Sequence, residues 1–300
     1  MDRLRTMSVF VAVAEESGFA AASRRLNMSP PAVTRAVAEL EQRLGARLLH
    51  RTTRSVRVSD AGRRYLADCR RILGEIEEID AHAAGIHGMP RGMVSVTASV
   101  LFGRMVVAPH LLGLLDRYPE ISVTTMFVDR MVHLVDEGID IAVRIADLPD
   151  SSLSAVRVGS VRRVLCASPD YLAAHGRPAT PPELEGHQIV DFVNMTPGGE
   201  WVFGGGGKGH TFRPQSRFRV NSADAAISAA LAGRGITRVL SYMVAPQLTA
   251  GTLELVLDDH GPPPGPVHVV HKEPGQTSAR IRAVVDHLVH GLRADPALVS

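Results

Sequence analysis

One stretch near the start of this chain indicates a pair of helices: Phe19-Ala20-Ala21-Ala22-Ser23-Arg24-Arg25-Leu26-Asn27-Met28-Ser29-Pro30-Pro31-Ala32-Val33-Thr34-Arg35. Asn27 tolerates the left-handed backbone conformation that ends a helix. Ser29 can cap a following helix through its hydroxyl, and Pro30 suits a first helical turn, which needs no amide donor. Stop and start signals this close together predict two helices joined by a tight turn.

The second predicted helix has an apolar inner face and a polar outer face. Its buried face is predicted from helical spacing and consists of Val33, Ala36, Val37, Leu40 and Leu44. On the outer face, an arginine can donate two hydrogen bonds to a guanine edge, a threonine can contact a base or a phosphate, and proline or alanine can touch a thymine methyl. We therefore assign DNA contact on this helix to Ser29, Pro30, Pro31, Ala32, Thr34 and Arg35. The alternative is an ordinary helical hairpin in a bundle.

A basic hairpin is predicted directly after this helix. Residues 47–58 read as two short strands around a polar turn, which is typical of a wing. The tip offers Arg51, Thr52, Thr53 and Arg54 as donors to sugar and phosphate oxygens or to a minor-groove edge. The alternative is a solvated surface hairpin.

Positive charge is concentrated in this first part of the chain. Residues 1–64 contain 12 Arg and no Lys against 6 Asp and Glu, whereas the rest carries a small negative excess within an overall charge of +2. A basic head on a mildly acidic body favours phosphate contact by the head.

A long helix with a heptad pattern is predicted to follow the wing. Ser59 can cap it, and Asp60 suits its first turn. Its apolar residues Cys69, Ile72, Ile76, Ile79 and Ala83 are spaced three and four apart. This pattern predicts a linker helix that pairs with a second copy, so that two heads could read an inverted repeat. The alternative is packing against the chain's own body.

These first 90 residues resemble the winged helix-turn-helix and linker helix of the LysR-type transcriptional regulators. The resemblance rests on the run Ser29 to Glu41, on Leu44-Gly45-Ala46-Arg47-Leu48-Leu49, on the arginine-rich wing and on Asp60-Ala61-Gly62, all in order and without a gap. Pro30 stands where many members have a glutamine. The wing sequence from His50 to Arg54 resembles a large subgroup whose members do not share one effector.

The remainder of the chain predicts an α/β region. A hinge is predicted at residues 85–92, after which short apolar strands alternate with helical stretches, including a short helix at Met131 to Glu137. The family resemblance continues here and implies two subdomains similar to periplasmic solute-binding proteins. We thus expect an α/β protein with an N-terminal all-α winged helix-turn-helix domain (1–59), a linker helix and hinge (60–88) and an effector-binding domain (89–300). Its subdomains are expected at 89–162 with 268–300 and at 163–267.

Ligand contacts are expected where strand ends and helix amino termini converge between the subdomains. Hydroxyls and free backbone amides around Ser99 could hold an anion, and Arg144 at the end of a strand could pair with a carboxylate. We assign effector contact to Thr97, Ala98, Ser99, Val100, Arg144, Val202, Phe203, Ser222 and Thr237. For each of these residues, capping, packing or surface solvation is the alternative.

Other chemistries find little support in the sequence. Gly204 to Gly209 contains a lysine but lacks the following hydroxyl that a P-loop needs, so a hairpin turn is expected. The histidine pairs His268 with His271 and His287 with His290 lack further metal ligands. No nucleophile, base and orienting residue occur together, so we expect neither catalysis nor a cofactor or metal. An enzyme or solute-binding module fused to a DNA-binding head is the competing class.

The expected partners follow from this assignment. They are double-stranded promoter DNA, a small-molecule effector such as a carboxylate, a second copy of the chain in a homodimer, and RNA polymerase as a further candidate. The family resemblance alone implies that two such dimers form a homotetramer. Cys69 and Cys166 are expected to be free buried thiols in a reducing compartment. With no apolar run of about 18 residues, a cytoplasmic protein is expected.

Overall fold

A computed structural model describes residues 2–51, 56–83, 89–148, 153–193, 199–204, 210–272 and 278–298. The chain divides into two compact units, which we call the head and the body. The head comprises Met1–Met93 with Ser278–Arg280, and the body comprises Val94–Thr277 with Ile281–Ser300. The head is mainly helical, whereas the body is built on two five-stranded sheets.

The head is a winged helix-turn-helix with a long helix after it, as predicted. Its elements are α1 (Arg3–Glu15), α2 (Phe19–Arg25), α3 (Pro30–Leu44), β1 (Leu49–Arg51), β2 (Val56–Val58) and α4 (Asp60–Ala83). The two strands pair antiparallel and form the wing.

The turn between α2 and α3 confirms one predicted signal and corrects another. Asn27 adopts the left-handed conformation, with φ of 50°. Ser29 precedes the helix as expected, but its hydroxyl makes no capping hydrogen bond. The reason is local: a cap side chain accepts from the second or third amide of the helix. Here the second residue is Pro31, which has no amide hydrogen, and the third, Ala32, donates to the Ser29 carbonyl at 2.9 Å.

Helix α3 buries most of the face that its periodicity predicts. Val33, Ala36, Val37 and Leu40 are fully buried in the head core, but Leu44 is 37% exposed. The inclusion of Leu44 was wrong because the helix ends there. Gly45 follows in a left-handed conformation, with φ of 64°, and turns the chain away from the core.

The start of the wing is held by hydrogen bonds from its backbone amides to the Glu41 side chain. The Glu41 carboxylate accepts from the amides of Leu48 and Leu49 at 2.8 and 3.0 Å. Ser59 caps α4 as predicted, since its hydroxyl oxygen accepts from the Gly62 amide at 2.9 Å. A methyl group on Gly62 would lie 2.0 Å from the Leu48 carbonyl oxygen. Wing and linker helix therefore meet at a contact that requires glycine.

The first half of the α4 heptad seam packs against its own head. Cys69 is fully buried in the head core, and Ile72 and Leu73 pack against that core. The Tyr65 ring lies 5.8 Å from the ring of Phe10 on α1. Ile76 is half-buried and is not part of this cluster, whereas the side chains of Ile79 and Ala83 lie outside the described residues. The alternative of packing within the chain thus applies to the beginning of the seam.

The body consists of two α/β lobes, confirming the predicted fold class. Lobe I has a sheet of order β4-β3-β5-β14-β6, and lobe II has a sheet of order β11-β8-β12-β7-β13. The lobe I elements are β3 (Gly92–Ala98), α5 (Val100–Phe102), a π-helical turn (Gly103–Val107), α6 (Ala108–Arg117), β4 (Ile121–Phe127), β5 (Ile141–Ile145), β6 (Leu153–Val161), β14 (Gly265–Lys272) and α10 (Ala279–Arg293). The lobe II elements are β7 (Arg163–Ala167), α7 (Pro169–His175), β8 (Ile189–Phe192), β9 (Trp201–Phe203), β10 (His210–Phe212), β11 (Phe218–Val220), α8 (Ala223–Leu231), β12 (Ile236–Leu240), α9 (Ser241–Thr249) and β13 (Glu254–Val256).

The chain passes between the lobes twice. It leaves lobe I after β6 and returns with β14, which lies antiparallel between β5 and β6. Both lobes contribute to one large apolar core, to which Phe102 belongs from lobe I and Tyr242 from lobe II.

The helix predicted at Met131 to Glu137 is absent; the chain forms a turn there. Val132 and Leu134, two residues apart, are both buried, which is an extended spacing rather than a helical one. The Ile139 amide then closes the turn on the Leu134 carbonyl at 2.9 Å, and Gly138 has a positive φ of 67°.

Candidate DNA interface and ligand site

The outer face of α3 is exposed where DNA contact was predicted. Ser29, Pro30, Pro31, Thr34 and Arg35 are exposed, and Ala32 is half-buried. The Thr34 hydroxyl donates to the Pro30 carbonyl of its own helix at 3.0 Å. It can still accept a hydrogen bond from an amino group on a base edge.

Arg35 differs from Arg43, the other arginine of α3, in having no carboxylate partner among the described residues. Among the described residues it forms no ion pair, whereas Arg43 on the same helix pairs with Glu39 at 3.2 Å and Arg25 pairs with Glu15 at 2.8 Å. A guanidinium without an internal partner retains all its donors for a phosphate or a base edge. Arg35 is therefore the arginine of α3 best suited to contact DNA.

The wing tip is described only in part. Arg51 ends strand β1, and Thr52, Thr53 and Arg54 lie outside the described residues. Sequence reasoning did not include Arg57, which is exposed on β2 opposite His50. Alternation along the strand between the half-buried Val56 and Val58 could have indicated it.

An ion-pair network fixes the helices behind this surface. Glu15 at the end of α1 accepts from Arg25 on α2 at 2.8 Å and from Arg70 on α4 at 2.9 Å. Burial by itself would raise the pKa of Glu15, but the hydrogen bonds from the two arginines outweigh it, and the pKa lies below the ordinary 4.5. The network thus ties three helices of the head together with a carboxylate that stays ionised.

In the body, the residues after β3 form the start of a helical run. Ser99 is half-buried and occupies the position before α5, but its hydroxyl makes no capping bond. Val100 is 44% exposed, and its amide donates to Asp129 Oδ1 at 3.0 Å. The expectation of a free amide at this point was wrong, because a carboxylate of the chain already accepts from it.

Tyr242 faces this region from lobe II, and sequence reasoning missed it. The side chain is 2% exposed and packs edge-on against Phe102, with 5.0 Å between ring centroids. Its hydroxyl forms no hydrogen bond of normal geometry with any part of the chain that the structure describes. Burial raises the pKa of Tyr242, while nearby Ser99 acts in the opposite direction and Asp129 adds to the rise. Its position just after strand β12 was the available signal, since ligands bind beyond strand ends.

Several other predicted ligand residues are engaged in the fold. Thr97 is 4% exposed and donates to the Met126 carbonyl at 2.6 Å, and Ala98 is also buried. Thr237 is fully buried and donates to the Val190 carbonyl at 3.0 Å. Ser222 is exposed and caps α8 by accepting from the Ala225 amide at 3.4 Å.

The hairpin of β9 and β10 has a structural role at its inner face. Phe203 is buried in a second lobe II cluster, and Val202 is 47% exposed. Trp201 lies under the guanidinium of Arg238, with 5.0 Å between the Arg238 carbon and the ring centroid. Burial lowers the pKa of Arg238 to about 10. Phe203, which the sequence assigned to effector contact, thus belongs to the packing of this hairpin.

Arg144 lies in a hollow at the end of β5. Along β5, Ile141 and Val143 face the main core, whereas Ala142 belongs to a small cluster with Val132 and Leu134. Arg144 is two residues after Ala142, so its side chain lies on the same face of the strand. There it lines a hollow of about 210 Å³ with residues 132–136 and Leu153. Its guanidinium donates to the Val132 carbonyl, and burial lowers its pKa.

An exposed ion pair joins the two lobes. Arg104 in the π-helical turn donates to Asp224 in the first turn of α8 at 3.0 Å. Both side chains are well solvated, so the pair contributes little to stability. The pair nevertheless connects lobe I with lobe II, and Arg104 is close to Ser99 in the sequence.

Two negative findings hold for the described ranges. No group of three or more histidine, cysteine, aspartate or glutamate side chains there could hold a metal ion. No helix there is long and apolar enough to cross a bilayer.

The head is a winged helix-turn-helix with an exposed arginine on α3, and the body has two α/β lobes. These two features define a DNA-binding regulator with a ligand-binding domain. Residues 4–63 match the family described as "Bacterial regulatory helix-turn-helix protein, lysR family", and residues 87–293 match "LysR substrate binding domain". The chain belongs to the LysR-type transcriptional regulators.

Individual relatives agree over nearly the whole chain. It is 31% identical to the HTH-type transcriptional activator AaeR of Escherichia coli K12, over 96% of this chain and 93% of the relative. It is 33% identical to the HTH-type transcriptional regulator DmlR of the same strain, over 95% and 93%. The solved structure of CrgA, a LysR-type transcriptional regulator from Neisseria meningitidis, is 30% identical and superimposes with a TM-score of 0.62, covering 96% of this chain and 98% of that one.

Proposed function

We propose that this regulator binds promoter DNA as a dimer, or as a tetramer of two dimers, through α3 and the wing. The observation that supports this most directly is Arg35, which is exposed on α3 and makes no ion pair among the described residues. The two α3 helices of a dimer would enter successive major grooves of an interrupted palindrome. Because its ligand is promoter DNA, the protein would act in the cytoplasm, and RNA polymerase would be a further partner.

Pairing is proposed through the later part of α4. Since Cys69 and Ile72 are used by the head core, the seam available to a second copy begins near Ile76. Replacement of Ile76 by aspartate should therefore weaken dimerisation without unfolding the head. Sedimentation velocity of the full chain measures this, and an unchanged dimer would reject the assignment.

A small-molecule effector is proposed to bind between the lobes beside Ser99 and Tyr242, which belong to lobes I and II respectively. Closure of the lobes around a ligand would change the spacing of the heads, provided that the ligand binds the two arrangements with different affinity. Turnover is the outcome that would favour an enzyme instead, because a regulator releases its effector unchanged.

The test of DNA binding is a gel-shift titration on the intergenic DNA beside the gene, with nonspecific competitor and varied salt. Arg35→Ala should weaken specific binding roughly 5- to 150-fold, as expected for the loss of a bidentate guanine contact. Arg43→Ala removes the same charge from the same helix but takes an arginine already paired with Glu39, so it is the matched control. Arg54→Ala should weaken binding on all sequences and lower the salt slope by about one. Equal effects of Arg35→Ala and Arg43→Ala would contradict the assigned roles.

A further inference from the structure

The ligand site beside Ser99 contains a carboxylate fixed by the fold. Asp129 Oδ1 accepts from the Val100 amide at 3.0 Å. The chain that carries Asp129 is anchored beside the end of β3, because the Val128 amide donates to the Ala98 carbonyl at 2.9 Å. Asp129 therefore reaches the first amide of the helical run as a consequence of strand pairing.

The packing of Phe127 reinforces this position. A methyl group on Gly103 would lie 2.4 Å from the Phe127 ring, so the ring rests directly on the glycine at the start of the π-helical turn. Phe127 is only two residues before Asp129. Glycine at 103 thus allows the end of β4, and the carboxylate after it, to approach the helical run closely.

Two neutral hydroxyls, those of Tyr242 and Ser99, lie near this carboxylate. Tyr242 is almost completely buried, and its hydroxyl lies near Ser99 but forms no hydrogen bond of normal geometry with any described residue. Ser99 is half-buried, and its hydroxyl does not cap α5. A buried hydroxyl without a partner is unfavourable, so a ligand that supplies an acceptor is favoured over one that leaves the hydroxyl unpaired.

We propose that this site selects a neutral ligand with a hydrogen-bond acceptor, such as a carbonyl group, and disfavours carboxylates. This proposal rests on the proposed effector function. The Tyr242 hydroxyl donates to the acceptor of the ligand. Asp129 holds the amide that an anionic ligand would need and repels a second carboxylate. This differs from the carboxylate that the sequence alone suggested.

The test compares matched acid and amide probes on the full-length protein. The pairs are benzoate with benzamide, phenylacetate with phenylacetamide and hexanoate with hexanamide, and affinity is measured by ligand-observed NMR titration. At least one amide should bind the wild type more tightly than its acid. Asp129→Asn keeps an oxygen acceptor for the Val100 amide but removes the charge. This variant should bind the acids at least about fivefold more tightly, because it removes the repulsion between two like charges about 4 Å apart in water. The affinity for the amides should stay nearly unchanged.

Two further variants locate the effect. Tyr242→Phe removes only the hydroxyl and should weaken the amides more than the acids. Asp116→Asn removes an exposed carboxylate on α6 and serves as the control for net charge. The proposed ligand class alone would be overturned if the acids bound the wild type as tightly as the amides. It would also be overturned if Asp129→Asn left the affinity for the acids unchanged. Absence of binding by every probe to every variant would reject both the ligand class and the effector site, while DNA binding is measured separately.

Discussion

Replacement of Gly62 by alanine tests the contact between wing and linker helix. The added methyl carbon would lie 2.0 Å from the Leu48 carbonyl oxygen and 2.8 Å from a methyl group of Val58. The oxygen belongs to the backbone and accepts from the Ser59 amide at 2.9 Å, so it cannot move without loss of that bond. Overpacking costs about 1 to 3 kcal/mol, and a hydrogen bond contributes about 1 kcal/mol. We expect the head to lose about 2 to 4 kcal/mol of stability.

Urea unfolding of the full chain measures this loss. The single tryptophan, Trp201, lies in the body, so its fluorescence reports the body, whereas far-UV circular dichroism includes the helices of the head. Gly62→Ala should shift the dichroism transition to lower urea and leave the fluorescence transition in place. Gly18→Ala is the control in the same head, because its methyl would meet its nearest atom at 3.7 Å. Identical dichroism curves for Gly62→Ala and the wild type would refute the argument.

Three other substitutions have defined outcomes. Leu40→Ala should cost about 2 to 5 kcal/mol of head stability in the same urea assay, whereas Leu44→Ala, at a 37% exposed position, should cost well under half of that. Glu15→Gln should destabilise the head at pH 7. Because the folded pKa of Glu15 is below 4.5, the carboxylate stabilises the head above that pH, and the difference from wild type should shrink as the pH falls through the folded pKa; a difference that grows below pH 4 would contradict this. Thr237→Val removes the donor to the Val190 carbonyl and should lower body stability by about 1 to 2 kcal/mol while leaving acid and amide probe affinities unchanged, which distinguishes a packing role from a ligand contact.

The head was predictable because its signals are local. Helical spacing identifies Val33, Ala36, Val37 and Leu40, and Asn27 marks the turn through a conformation that few residues tolerate. The error at Leu44 arose because spacing alone does not say where the core ends. The error at Ser29 arose because Pro31 removes one amide donor that a capping hydroxyl needs, and the other donor, the Ala32 amide, is used by the Ser29 carbonyl.

The proposed ligand site was less predictable because it depends on contacts distant in sequence. Thr97 and Ser99 are both hydroxyl residues at the end of β3, yet one is fastened to Met126 and the other lies near Tyr242 from the other lobe. Whether Arg144 faces the main core or the hollow near Val132 depends on strand parity, which one residue reverses. Asp129 follows a strand whose pairing partner the sequence does not specify.

The positions of β6 and β14 have a consequence for how the body can change shape and evolve. Val161, where the chain leaves lobe I, is paired in the sheet with Gly265, where it returns. Lobe II is thus a cassette inserted at one place in the sheet of lobe I, and insertions with adjacent ends are well tolerated. The two covalent connections between the lobes lie side by side. A rotation of lobe II relative to lobe I would therefore bend both connections about one shared hinge axis. A related lobe grafted at these two residues would keep that axis, provided that its inner surface matched the shared core.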